Sequence, residues 1–201
     1  MARPREFNED QVLEAAGDAF RTKGYEGTTA PALARIAGFA QRSLYKMLGN
    51  RRGLFLRAFK DYVDHNLRRR IARLESTQAP SAAITAFFCD AIERLHSDPL
   101  QRSCMLINSA VGAMSDDVEF RKAAASELTQ LRAFFLRCMA AACQSGEIPI
   151  TVSPEEAATQ LLVIFLDLRV LACVNPRRPL LRGMVTHALA LLGLPSLLGR
   201  Q

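Results

Sequence analysis

At 201 residues with 49% apolar side chains, the chain can bury a full core as one large or two small domains. Helix formers dominate and β-branched residues never alternate over long runs, which excludes a sheet protein and leaves an all-α fold. The formal charge of +6 is lopsided: residues 1–73 carry 15 basic and 8 acidic side chains and residues 74–201 carry 11 and 12, so an acidic partner belongs to the N-terminal third.

Residues 1–6 form a polar tail in which Arg3 and Arg5 read either as a minor-groove arm or as solvated charge. Helix one is expected from Asn8, with Gln11 completing a capping-box-like pair, Phe7 stapled on Val12, and Gly24 as its end. Two short helices follow, joined by a tight turn. Thr29 caps the first, Pro31 suits its early turn, and Leu33, Ile36 and Ala37 make its apolar stripe. Gly38 permits a left-handed turn, after which Phe39 and Leu44 anchor the second helix. Gln41, Arg42, Ser43, Tyr45 and Lys46 are left outside. A helix–turn–helix lays its second helix in the major groove, so these five are the candidate DNA readers. Between Gly27 and Lys60 stand seven basic residues and no acidic one, a surface suited to phosphate.

Asn50 should cap a long helix to about Glu75, with Leu54, Phe55, Ala58, Phe59 and Tyr62 inward. Arg51 and Arg52 lie in its first turn, where positive charge opposes the helix dipole and an outside anion would compensate it. The cluster Arg68, Arg69, Arg70 and Arg73 lies too far along for the groove and reads as a solvated face. Helix five is expected over Ser81–Ser97, helix six over Arg102–Met114, and helix seven over about Asp116–Ser145 with a bend, ended by Gly146. Ser153-Pro154-Glu155-Glu156 is a strong start signal for helix eight, and helix nine runs from Pro179 to Leu192.

The run Phe20-x-x-x-Gly24-Tyr25-x-x-Thr28-Thr29, the segment Ile36-Ala37-Gly38, and Ser43-Leu44-Tyr45 followed by Leu54-Phe55 resemble the N-terminal domain of the TetR family of transcriptional repressors. The resemblance covers residues 5–60 strongly and the remainder by size and helical layout. Ala40 stands where the family usually has a capping Ser or Thr, which weakens the cap by about 1 kcal/mol. Met47-Leu48 replaces an aromatic pair or His-Phe, and Gly53 replaces a helix former. The resemblance implies a helix–turn–helix domain over 1–50 and an effector-binding and dimerisation domain over 51–201. It implies a homodimer formed through the two C-terminal helices, a palindromic double-stranded DNA operator, and repression relieved by a small-molecule effector. Thr29, Tyr45, Lys46 and Arg51 are then expected on phosphates, and Gln41, Arg42 and Ser43 on base edges.

Bulky apolar side chains with a polar handle mark the candidate effector site: Phe87, Phe88, Met105, Asn108, Met114, Phe134, Phe135, Met139 and Phe165. At helical spacing the same residues serve as plain core. Cys104, in Arg102-Ser-Cys104-Met-Leu-Ile-Asn108, resembles a segment of family members that sense electrophiles or oxidants; a buried structural thiol is the competing reading. Asp167 and Arg169 interrupt the apolar face of helix eight, as a pair across the dimer interface or as its wet rim.

His65, His96 and His187 lie on separate helices, and five cysteines show no metal-ligand spacing, so neither an enzyme, a metal site nor a cofactor is expected. Met1-Ala-Arg-Pro-Arg lacks a signal-peptide apolar core, and the most apolar window, Leu161–Val174, reads as too short for a bilayer. A cytoplasmic protein without a membrane partner is the expectation. The alternatives are the same fold with a redox or electrophile sensor at Cys104, or a helical ligand-binding or enzymatic module with only nonspecific DNA affinity.

Overall fold

The structure is a computed structural model that describes residues 8–97, 104–106, 117–149 and 152–197. Arg3, Arg5, Phe7, Asn108 and Met114, together with most of predicted helix six, lie outside the described residues. Helices make up the described fold, with no strand among the described residues.

Helix α1 (Glu9–Gly27) begins where the Asn8 side chain accepts the Gln11 N–H at 3.2 Å, and it buries Val12, Leu13, Ala16, Ala19 and Phe20. Gly24 takes φ 70°, which breaks the helix one turn early. Thr28, fully buried, closes the end by donating its hydroxyl to the Gly24 carbonyl at 2.7 Å. Helices α2 (Ala30–Ala37) and α3 (Gln41–Leu48) follow, and α4 (Arg51–Val63) starts at Asn50, which accepts the Gly53 N–H at 2.8 Å.

The predicted long fourth helix is interrupted. Residues Asp64–Arg68 form a π turn, and α5 (Arg69–Thr77) continues beyond it. The remaining helices are α6 (Pro80–Ser97), α7 (Val118–Gln144), α8 (Pro154–Val174) and α9 (Arg178–Leu191). The Ser153 and Glu156 reciprocal cap at the start of α8 forms as the sequence dictates, and Gly146 adopts φ 71° at the end of α7.

The main core lies among α6, α7 and α8. Phe87, Phe88, Phe134, Phe135 and Phe165 are all enclosed, with ring centroids from 5.2 to 5.8 Å apart in contacting pairs. Edge-on and tilted pairs at such spacing add to the burial of area. A second aromatic group, Phe20, Tyr25, Phe55 and Phe120, ties α1 and α4 to the start of α7.

Helix α8 as a whole, seven residues longer than the window Leu161–Val174, is long and apolar enough to cross a membrane by length and composition alone. Leu161, Phe165 and Leu168 are buried in the protein core, whereas Val163, Val170 and Val174 are exposed. Arg169 is not a rim charge: its Cζ lies 5.3 Å from the Phe165 ring centre and its Nε is enclosed, while Asp167 is exposed.

Candidate nucleic-acid interface

The turn between α2 and α3 is fixed by backbone chemistry. Thr29 caps α2 by accepting the Ala32 N–H at 3.4 Å, and Gly38 sits at φ 73°, ψ 23°. The Phe39 N–H then reaches back to the Ala34 carbonyl at 3.1 Å and the Gly38 N–H to that of Arg35 at 3.2 Å. Leu33 and Leu44 are buried and lock the two helices to the domain. With Leu44 inward, Gln41, Arg42, Ser43 and Lys46 are exposed on α3, as the sequence requires. Ala40 supplies no side-chain cap.

Two predicted contacts are redirected. Tyr45 is half-buried and its hydroxyl is enclosed with no hydrogen-bond partner among the described residues. Burial raises its pKa above the ordinary phenol value, against the lowering pull of Arg51. Arg51 does not point outward: its Cζ lies 4.1 Å over the Tyr25 ring, its Nη2 donates to the Tyr25 carbonyl at 3.0 Å, and Glu26 lies at 3.4 Å. The physical reason is the end of α1, whose carbonyl and acidic side chain supply the compensation that the sequence reading assigned to an outside anion.

Arg52 is committed in the same way. It donates to Asp117 at 2.6 and 2.9 Å and to Glu119 at 2.6 Å, and lies 5.4 Å from the Phe120 ring centre. Asp117 also caps α7 by accepting the Glu119 N–H at 3.0 Å. The Arg52 guanidinium, with the two backbone donors, holds the Asp117 carboxyl down at about 2. This clasp joins the first turn of α4 to the first turn of α7 and was not foreseen; an Asp cap followed by Glu at the start of a helix was its only signal. Arg57 pairs with Glu9 at 3.0 Å. Of the seven basic residues between Gly27 and Lys60, Arg35, Arg42, Lys46 and Lys60 are thus exposed with no ion-pair partner among the described residues, and the first three flank the turn or lie on α3.

The candidate effector residues divide. Phe88, Phe134 and Phe135 pack on one another, with Met105 buried nearby in the same core, so they read as core. Phe165 and Cys104 border a small cavity of about 20 Å3, shared with Tyr62, Asn66, Arg70 and Arg169. Cys104 is buried and accepts a hydrogen bond from the Tyr62 hydroxyl at 3.7 Å, a setting unlike that of an exposed reactive thiol. The arginine run at the π turn and the start of α5 is only in part a solvated face. Arg69 and Arg73 are exposed, Arg73 pairing with Asp90 at 2.7 Å, whereas Arg68 pairs with Glu127 and with Asp64 and Arg70 is buried over the Phe87 ring at 4.0 Å.

Two family models match the chain: "Bacterial regulatory proteins, tetR family" over residues 12–58, and "Tetracyclin repressor-like, C-terminal domain" over residues 80–182. The chain belongs to the TetR family. Within it, the chain is 32% identical over 148 residues to the HTH-type transcriptional regulator YezE of Bacillus subtilis (strain 168), covering 74% of this chain and 76% of that protein. It is 34% identical over 61 residues to the HTH-type transcriptional repressor BdcR of Escherichia coli (strain K12), covering 30% of this chain and 31% of the repressor. Among solved structures it superposes on a cysteine variant of the TetR family regulator CifR bound to 26-bp double-strand operator DNA, with TM-score 0.83 and 27% identity over 94% of this chain and 98% of CifR. The fold is also that of the reduced form of E. coli NemR, with TM-score 0.80 at 14% identity over 93% of this chain and 98% of NemR. This TetR family member is a DNA-binding transcriptional regulator, and the comparisons do not favour the alternatives of a Cys104 sensor or a nonspecific module.

Proposed function

We propose that the chain is a homodimeric repressor that reads a palindromic operator through α3 and leaves it when a small-molecule effector binds between its C-terminal helices. The observation that carries this is the pairing of a buried Leu44 with exposed Gln41, Arg42 and Ser43 on the same helix, which presents base-reading side chains from a fixed platform. Gln41 suits adenine and Arg42 suits guanine in the major groove, with Ser43 reaching either. Thr29 and Lys46 hold phosphates, since the Thr29 hydroxyl accepts from Ala32 and keeps its proton to donate. Tyr45 and Arg51 support α3 from beneath rather than touching DNA.

Dimer formation uses the faces of α8 and α9 on which Val163, Val170, Val174, Leu180 and Leu191 stay exposed. The DNA-reading unit is residues 1–50 and the effector-binding and dimerisation unit residues 51–201. The chain acts by binding and not by catalysis, in the cytoplasm. Selection of bound sites from a randomised duplex pool at near-physiological salt tests the reading. Two-fold related half-sites are expected, and a folded protein that enriches no sequence sinks it.

A further inference from the structure

Arg70 and Arg169 both line the small cavity among α4, the π turn, α5 and α8. Arg70 is 4% exposed and its Nε has no hydrogen-bond partner among the described residues; the Nε of Arg169 is likewise enclosed and unpartnered. What Arg70 does contact is weak for a full charge: the face of Phe87 at 4.0 Å and the Phe87 carbonyl at 3.5 Å. Asp90, the carboxylate in electrostatic reach, is held by Arg73 at 2.7 Å. Burial, with Arg169 and Arg94 repelling it, pushes the Arg70 guanidinium down to about 9, although it stays charged at neutral pH. Buried charges in folded proteins are paired, because an unpaired one carries a heavy desolvation penalty. Among the described residues this cavity therefore has two guanidiniums and no anion paired with them.

The rest of the wall specifies the partner. Tyr62 and Asn66 also line the wall, the Tyr62 hydroxyl donating to Cys104 and the Asn66 amide donating to the Tyr62 carbonyl and accepting from Arg94, while Val63, Leu67 and Phe165 are apolar. At about 20 Å3 the cavity holds no more than a water-sized group as it stands, so a compact planar head is favoured over a tetrahedral one. The π turn supplies Asn66 and Leu67, and such turns recur at functional sites.

We propose that Arg70 and Arg169 form the head-group site for the effector, and that the effector is a small carboxylic acid with an apolar tail that opens the cavity along α5 and α8. This rests on the effector-release reading above and names its ligand class.

The test is binding by calorimetry and thermal shift with acetate, hexanoate and benzoate, each beside its neutral amide, and with inorganic phosphate. At least one carboxylate is expected to bind about tenfold or more tighter than its amide, with charge-assisted hydrogen bonds as the difference. Arg70→Met and Arg169→Met should each erase that preference, and Arg69→Met, on the exposed side of the same helix, should keep it. The ligand-free Arg70→Met protein should melt higher than the wild type, as removal of a lone buried charge predicts. No preference for carboxylate in the wild type, tighter binding of phosphate than of every carboxylate, or an unchanged preference in both Met variants overturns the proposal. Operator binding is read in parallel. A carboxylate that binds without loosening DNA upholds the site and sinks effector release; loosening by amide and acid alike upholds release and sinks the site.

Discussion

Arg35, Arg42 and Lys46 around the turn, and Arg70 and Arg169 around the cavity, are alike in lacking a carboxylate partner among the described residues and opposite in what surrounds them. The first set stands in water, where an unpaired cation is cheaply solvated and stays available to a polyanion. The second is enclosed, where the same lack is expensive and calls for a single fitted anion. Between the two lie Arg51, Arg52 and Arg57, which the protein pairs for itself. Unpaired charge is therefore informative here by its solvation, not by its density along the chain.

The largest effect should come from breaking the buried side. Phe87→Ala removes the ring under Arg70 and the centre of the aromatic core, and should destabilise the protein by about 3–5 kcal/mol in chemical denaturation. On the solvated side, Arg42→Ala should lose about 1–3 kcal/mol of operator affinity and relax one base position, read by repeating the site selection. Loss that is equal on every sequence would recast Arg42 as a phosphate contact. Arg51→Gln sharpens the boundary between the sets. Its melting temperature should fall while the salt dependence of DNA binding keeps its slope; a slope reduced by about 1 at unchanged stability would return Arg51 to the phosphates.

The smallest effect concerns the clasp between Arg52 and Asp117. The Asp117 carboxyl is depressed in the folded state, so its contribution is present above the unfolded value of about 3.9 and is lost as the pH falls through about 2. Melting temperature measured from pH 5 down to pH 2 should fall more steeply in the wild type than in Asp117→Asn. Equal slopes would mean that the clasp is too solvated to matter.

The recognition turn was legible because its signals are local: a Thr cap, a glycine needing positive φ, and Leu44 among polar neighbours. Arg51, Arg52 and Arg70 were not. Each finds its partner far along the chain, at Glu26, Asp117 and Phe87, and a positive run with no nearby acid reads as solvated by default. The phenylalanines left two readings open, pocket or plain core, for a related reason. Helical spacing shows which residues turn inward but not whether they meet another ring or a space. Tyr45 shows the same limit at shorter range: it lies only one position from Leu44, yet it is half-buried with its hydroxyl enclosed, in the field of Arg51 and Tyr25.

The π turn at Asp64–Arg68 gives the chain a dependence on length as well as on residue type. A regular helix advances about 100° per residue, and a turn bonded five residues ahead takes up one residue more than a regular turn does. Removal of one position would be absorbed by a return to a regular turn with α5 still in phase, whereas a regular turn forced on the same number of residues would leave every side chain's identity intact and rotate α5 against α6 and α7. Arg70 would swing away from Phe87, Arg68 from Glu127, and Arg73 from Asp90 together. Three arginines keep three different partners because the π turn takes up one surplus residue before α5 begins.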